Sequence, residues 1–519
     1  MIYLIIFFTI CFFILAWRRL DWALMFLIAA LPSYLIRFNF FGLPSTLLEA
    51  MIWAVFLAWF LKNRGHIIEN CKLKIGHLLK IENSKLKIDN RYPFDWEIVL
   101  WLILALMAAG MSGFSAASLG IWKAYFFEPA LLFIVIINTN QTNRERTERN
   151  YLSLEKILWP LAISALAVSL LAIYQKFTGQ YIDNPVWAAA SIRRVVSFFG
   201  YPNAVGLYLA PMVLVMTGWL CGTAKNFQFS IFNFQSIFNV KIFKPALITS
   251  VVILSVLSVY FARSKGALIG VTAGLVMFGL LAGRKIRWTT IIVLIVASLA
   301  VAAYQPARDL AMRNVKMTNL SGQIRKAGWS DTWRMLKDGK LLTGAGLANF
   351  QKTVASYHTE GIFYKDPSDP GAQRKLVFNE AYRTAHWQPL EIFLYPHNIL
   401  LNFWSEIGLA GVLLFIWIIL KYFGLGISTL VIAAPEPQSR NMNETKIWIP
   451  GQARNDRKEW KFFNIGLICA MVVILVHGLV DVPYFKNDLA VMFWLYVAMM
   501  SLVNLETKYG IANRRKNIV

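Results

Sequence analysis

Residues 396–415 read PHNILLNFWSEIGLAGVLLF, and the reading of this stretch decides the fold. Everything after Asn398 is apolar enough to cross a bilayer as a helix, yet Asn402, Ser405 and Glu406 stand inside it. At 3.6 residues per turn, Asn398, Asn402, Ser405 and Glu406 fall on one stripe. A carboxylate at membrane depth is expensive, so that stripe must face protein or a wet cavity rather than lipid. His397 stands in the first turn, at the membrane mouth. The positive end of the helix dipole there disfavours imidazolium and keeps the ring neutral, as a proton acceptor requires.

Composition extends this reading to the whole chain. Of 519 residues, 57% are hydrophobic and only 15% are charged, and the mean hydropathy is +0.52. The charges cluster between long apolar runs, the pattern of an all-α polytopic integral membrane protein. The net charge of +24 borders those runs, where positive-inside topology and anionic headgroups account for it without nucleic acid. The four cysteines, Cys11, Cys71, Cys221 and Cys469, show neither metal spacing nor a paired framework. The first apolar run, 1–17, lacks a basic leading region and a small-residue cleavage site, so it reads as a retained span.

Apolar runs lie near 1–17, 21–36, 45–61, 96–114, 119–138, 156–176, 201–222, 246–262, 266–282, 288–304, 397–420, 462–482 and 488–505. At ~20 residues each they give about thirteen spans, or twelve without the first. Arg18-Arg19, 62–92, Arg144 to Arg146, 225–244, 284–287, 435–461 and 514–516 are basic and belong inside. That places the N-terminus outside and the C-terminus inside. Four regions follow: 1–190, N-terminal spans; 191–304, spans with cationic outer loops; 305–396, one large extracytoplasmic loop; 397–519, C-terminal spans and a cytoplasmic tail.

Two short outer loops carry cations against the positive-inside bias: Arg193-Arg194 and Arg263-Ser264-Lys265. Charge placed there points to an anion held outside. The 305–396 loop, about ninety residues long, is too long for a simple connection and should fold against the membrane face. Within it, 328–340 has helical spacing with Trp329, Trp333 and Leu336 on one side, and a glycine-bearing turn follows at 341–350. Tyr357, Tyr364, Tyr382, Trp387, Phe393 and Tyr395 suit stacking on sugars and equally suit an interfacial belt. Asp366 to Gly371 reads as a surface turn.

Three inner segments read as inserts without function: 80–88 (KIENSKLKI), 226–234 (NFQFSIFNF) and 441–457. The first two are nearly what reverse-complemented AT-rich codons of one another would encode, apart from the serine pair. We hypothesise one DNA repeat inserted twice in opposite orientation; a gene sequence without inverted similarity there would end that idea.

Four patterns then line up on the outer side: Arg194 to Asn203 entering a span, Ser264-Lys265-Gly266-Ala267 entering another, 338–350 with its Leu-Leu-Thr-Gly-Ala-Gly turn, and the His397-Asn398 helix with Glu406 and Gly408. In this order and spacing the chain resembles the O-antigen ligase and O-antigen polymerase superfamily of bacterial membrane glycosyltransferases, best over 190–420. The resemblance implies transfer of a glycan from an undecaprenyl-diphosphate carrier to an acceptor hydroxyl outside the cytoplasmic membrane, without metal or other cofactor. By its spacing to Asn203, Arg194 matches one diphosphate-binding arginine of the ligases. The second such position holds Lys265, with Arg263 two residues earlier, and lysine lacks the bidentate fork of a guanidinium. His397 matches the histidine proposed as base.

The residue chemistry agrees. A departing diphosphate needs positive charge, which Arg and Lys supply in place of a divalent cation. The chain has no Asp-x-Asp pair, which argues against a metal-dependent nucleotide-sugar enzyme. His397 would take the acceptor proton as general base, and attack opposite the diphosphate would invert the anomeric carbon. Asn203, Asn398 and Glu406 read as support. His477 and Asp481, four apart, read as a hydrogen-bonded or packing pair. His358 and His386 read as solvated loop histidines, and Glu128 before Pro129 marks either a carrier groove or a kink. The expected partners are the lipid-linked donor, a glycan, lipid or protein hydroxyl as acceptor, and membrane lipid. A lipid-linked glycan flippase or transporter is the alternative; transporters tend to show two similar halves, and no such repeat is visible. A non-catalytic scaffold would not need cations set against the bias.

Overall fold

The computed structural model describes residues 2–40, 42–78, 93–142, 152–224, 240–367, 369, 371–432 and 451–516. Among these residues twenty α-helices follow one another with two small two-stranded sheets. The first half contains α1 (Ile2–Arg18), α2 (Leu20–Ala29), α3 (Leu47–Leu78), α4 (Asp95–Met111), α5 (Ala116–Ile121), α6 (Glu128–Thr142), α7 (Leu154–Thr178), α8 (Pro185–Ala188), α9 (Pro202–Ala224) and α10 (Val240–Phe261). Then come α11 (Lys265–Ala282), α12 (Arg284–Ala303), α13 (Gln305–Val315), α14 (Leu320–Met335), α15 (Phe350–Val354), α16 (Ala372–Phe378) and α17 (Glu380–Ala385). The long α18 (Ile399–Ile432), α19 (Gly451–Gly478) and α20 (Asn487–Lys516) complete the chain. Strand β1 (Arg37–Phe40) pairs antiparallel with β2 (Leu43–Thr46), and β3 (Gly361–Phe363) with β4 (Trp387–Pro389). The protein is an all-α polytopic membrane protein. Among the described residues, nine helices are long and apolar enough to cross a bilayer.

The bundle is built on close backbone approach rather than on oil-like burial, as helix association in lipid demands. A methyl group added at Gly218 of α9 would stand 2.8 Å from Cα of Gly466 on α19. One at Gly274 of α11 would meet Val473 of α19 at 2.8 Å. The three helices α9, α11 and α19 therefore form a tight trio. Helix α20 is nearly sealed, whereas no residue of the α12 span is buried. An aromatic cluster of Trp101, Phe126, Phe403, Phe415, Tyr484 and Phe493 joins α4, α18 and α20. At its centre Tyr484 Oη accepts from Trp101 and Trp494 Nε1 and donates to the Tyr125 carbonyl at 2.6 Å. That anchors the short α19–α20 loop.

The helices depart from the expected runs where backbone chemistry intervenes. The 21–36 run is only partly α-helical. Pro32 lies in a 3₁₀ turn (Leu31–Leu35) right after α2, and the β1–β2 hairpin follows. The 119–138 run passes through a π turn (Trp122–Phe127) just before Pro129. Proline has no N–H to return to the preceding turn, and the wider turn absorbs that missing bond. Glu128 is fully buried there and accepts from Trp53 Nε1 at 2.9 Å. The helix expected over 328–340 begins earlier, at Leu320, where Asn319 Oδ1 caps it by accepting from Gly322 N–H at 2.8 Å. It stops at Met335, and Asp338 and Gly339 leave helical geometry beyond it. Of the insert segments, 80–88, 226–234 and 441–450 lie outside the described residues, as do Ser368 and Pro370 of the surface turn.

Candidate functional site

Helices α9, α11, α18 and α20 begin, and α7, α10 and α19 finish, at one end of the bundle, where segment 304–398 packs. Asn398 is the N-cap of α18: its Oδ1 accepts from Leu400 and Leu401 N–H, each at 3.0 Å. Its Nδ2 donates to the Leu479 carbonyl at 3.1 Å, tying the start of α18 to the α19–α20 loop. His397 therefore precedes the cap rather than lying in the first helical turn. Its φ is +49°, a left-handed conformation rarely taken by a side-chain-bearing residue. The Trp329 indole donates to the adjacent Pro396 carbonyl at 2.8 Å, and Phe393 and Tyr395 flank the imidazole edge-on with centroids 5.0 Å away.

Asp481 is the hub. Its Oδ1 lies 3.7 Å from His397 Nδ1, an ion-pair approach longer than a hydrogen bond, so that buried ring nitrogen is left unpaired. Its Oδ2 accepts from Asn203 Nδ2 at 3.2 Å, and Asn203 Oδ1 accepts from Arg194 Nη2 at 3.4 Å. Burial pushes the Asp481 carboxyl up, but His397, His477 and the Val482 N–H outweigh it and hold the group below its ordinary value. His477 does not continue a helix to Asp481, because α19 ends at Gly478. Its ring instead packs on Gly266 of α11, where an added methyl would stand 2.6 Å from Cδ2.

The four cations of the two loops meet different fates. Arg193 is tied to the backbone, donating to the carbonyls of Ala188, Lys176 and Phe177 at 3.1 Å each. Arg194 is half-buried and donates from Nε to the Ala262 carbonyl at 3.0 Å. Burial first, then the Arg263 charge, lower its guanidinium from the ordinary value. Arg263, at φ +52°, and Lys265, first residue of α11, are exposed. Sequence reasoning passed over Lys486, whose ammonium lies 4.6–5.2 Å from the ring centroids of Tyr34, Phe199 and Tyr201. Burial lowers its pKa, and Asp488 opposes the shift.

Glu406 and Gly408 sit deeper and hold the glycine-bearing turn. Glu406 Oε2 accepts from Ala348 N–H at 2.8 Å, and the Ser405 carbonyl accepts from Ala345 N–H at 2.6 Å. Gly408 breaks α18 at φ +74°, and a methyl there would lie 2.4 Å from the Leu342 carbonyl oxygen. Of the other loop histidines, His358 binds the Leu390 carbonyl at 3.2 Å and stands 3.7 Å from the buried Asp331, while His386 stacks on Tyr382 with centroids 3.8 Å apart.

A small, partly enclosed pocket of about 30 Å³ opens beside His397, lined also by Arg325, Asp331, His358, Phe393 and Tyr395. Burial raises the Tyr395 phenol to about 12. Arg325 is a second residue the sequence did not disclose. A lone arginine in a loop of about ninety residues carries no spacing signal, and α14 alone brings it here. Its Nη1 donates to Ser321 Oγ at 2.8 Å, and its buried Nε has no partner.

Residues 250–416 match the family model described as O-Antigen ligase. No curated protein matches the chain. The matched segment includes Arg263, Lys265, Arg325, His397 and Glu406. Arg194, Asn203, His477 and Asp481 lie outside it and reach the same site through the fold. The matched segment, about a third of the chain, together with the multi-span bundle supports a likeness to the O-antigen ligase and polymerase superfamily, whose members are membrane enzymes of the glycosyltransferase type.

Proposed function

We propose that the protein transfers a glycan from an undecaprenyl-diphosphate carrier to an acceptor hydroxyl on the outer face of the cytoplasmic membrane, inverting the anomeric carbon. His397 Nε2 takes the acceptor proton while the Asp481 charge, 3.7 Å from Nδ1, favours the proton on that nitrogen and stabilises the imidazolium that forms, the division of labour of a carboxylate behind a histidine base. The acceptor oxygen bonds to the anomeric carbon as its bond to the diphosphate oxygen breaks. The electron pair leaves with the carrier diphosphate, whose charge Arg194, Arg263 and Lys265 receive. Base and cations then need no metal between them.

The observation that supports this best is the line His397–Asp481–Asn203–Arg194, an ion-pair approach at 3.7 Å followed by two hydrogen bonds. It joins a proton acceptor to a diphosphate-binding cation across three separate stretches of chain. A flippase or transporter has no use for a histidine base so arranged. The decisive experiment places purified protein in liposomes with a lipid-linked oligosaccharide. His397→Ala should abolish transfer while donor binding and the folded state persist; undiminished transfer refutes the assignment. Chain lengthening without an added acceptor identifies a polymerase, and transfer only when an acceptor is supplied identifies a ligase.

A further inference from the structure

The cations assigned to the leaving diphosphate come from the ends of membrane helices, yet Arg325 approaches His397 from segment 304–398. Arg325 and His397 line one pocket, and Arg194, Arg263 and Lys265 do not line it. Arg325 is half-buried, with its Nε withdrawn from water and without a partner while Nη1 donates to Ser321 Oγ, and among the described residues no carboxylate stands within 4.0 Å of it. Asp481 supports its charge from a distance, but among the described residues no acidic group forms a salt bridge with it. Asp331 is engaged by Arg334 and Thr359, His358 by the Leu390 carbonyl, and Asp481 by Asn203 and the Val482 N–H. A buried guanidinium N–H left without an acceptor is costly unless an acceptor, best of all an anion, occupies the space before it.

Size and walls narrow the occupant. About 30 Å³ accommodates a carboxylate or one face of a phosphate, not a sugar ring. Phe393 and Tyr395 stand beside it, where the apolar face of a ring would rest. The proton that His397 removes belongs to the acceptor, so a pocket sharing His397 but not the diphosphate cations lies on the acceptor side. Resting on the glycosyl-transfer reading above, we infer that Arg325 binds an anionic group, carboxylate or phosphate, on the saccharide acceptor and so selects acidic acceptors.

The test is direct binding to the full chain in nanodiscs, followed by calorimetry. The probes are a disaccharide ending in glucuronate and the same disaccharide ending in glucose. The acidic probe should bind at least tenfold more tightly than the neutral one. Arg325→Gln should remove that preference, Arg325→Lys should restore part of it, and Arg194→Gln should leave it intact. Equal binding of the two probes by the unaltered protein overturns the inference, as does failure of both to bind. A preference that survives Arg325→Gln, or one lost equally in Arg194→Gln, overturns it too. Arg325→Lys keeps the test sound should the glutamine variant misfold. Because no transfer is required, a negative here is distinct from failure of the His397→Ala assay, which addresses the reaction itself.

Discussion

The two halves of the site are held in opposite ways. One half, His397–Asp481–Asn203–Arg194, is fixed by a network of bonds around a buried carboxylate: an asparagine cap on α18, the Asp481 hub in a loop anchored through Tyr484, and an amide bridging to a half-buried guanidinium. The other half, Arg263 and Lys265, is exposed, and Arg263 holds a left-handed backbone angle. Fixed groups act by geometry, and small displacements of them cost much. Exposed cations act by charge, which tolerates displacement and weakens with salt. If the comparison is right, conservative changes should be severe in the first half and mild in the second.

The largest effect belongs to the hub. Asp481→Asn keeps the volume but removes the charge facing His397 Nδ1 and can reverse the preferred tautomer. Transfer should fall about a hundredfold, within the range general base catalysis contributes, with donor affinity little changed. Kinetics in liposomes would measure this, and a loss confined to the donor KM would break the assignment of Asp481 to the base. The same variant has a stability signature. The folded carboxyl lies below its ordinary 3.8. Its contribution is therefore complete above that value and disappears as pH falls through the lower folded value. Melting temperatures of the two proteins should differ at neutral pH and converge in acid.

Next comes Arg194→Lys. A lysine keeps the charge but cannot donate at once to the Ala262 carbonyl, to Asn203 and to a phosphate. Donor KM should rise about tenfold, a loss of ~1.4 kcal/mol. By contrast Lys265→Arg should change transfer by no more than about twofold. Arg263→Gln combined with Lys265→Gln should raise donor KM at low ionic strength and much less at about 0.5 M salt. A severe effect of Lys265→Arg would erase the distinction between the halves.

Part of the fixed half was legible in the sequence: the buried stripe of Asn402, Ser405 and Glu406 follows from periodicity, and Arg194 stood out as charge placed against the topological bias. His397 was visible but read into the first helical turn, whereas Asn398 caps the helix and leaves His397 before it. The hub was not legible. Asp481 lies 278 positions from Asn203, and no spacing rule relates them. Four-residue spacing pointed it instead toward His477, on a helix that stops before reaching it. Gly408 was visible as a residue but not as a break, because apolar periodicity runs straight through it. Arg325 and Lys486 had no local signal at all. What sequence shows is the chemistry of single elements; what it hides here is which helix ends meet.

The smallest effect on transfer is expected at Arg193, adjacent to Arg194 and opposite in fate. Its guanidinium lies over Gly179, where a methyl would come within 2.8 Å of Nη2, and it donates to three carbonyls at the end of α7 and in α8. Those carbonyls belong to a helix end that has no intrahelical donors left for them. Arg193→Ala should therefore lower stability by about 1–2 kcal/mol, the scale of a few partly exposed charge-assisted bonds. A thermal melt in detergent would read it. Turnover of the folded fraction should stay within about twofold, since the Arg194 bonds to Ala262 and Asn203 do not involve its neighbour. Should Arg193→Ala instead raise donor KM as Arg194→Lys does, the loop acts as one cationic unit. The fixed half would then extend to both arginines.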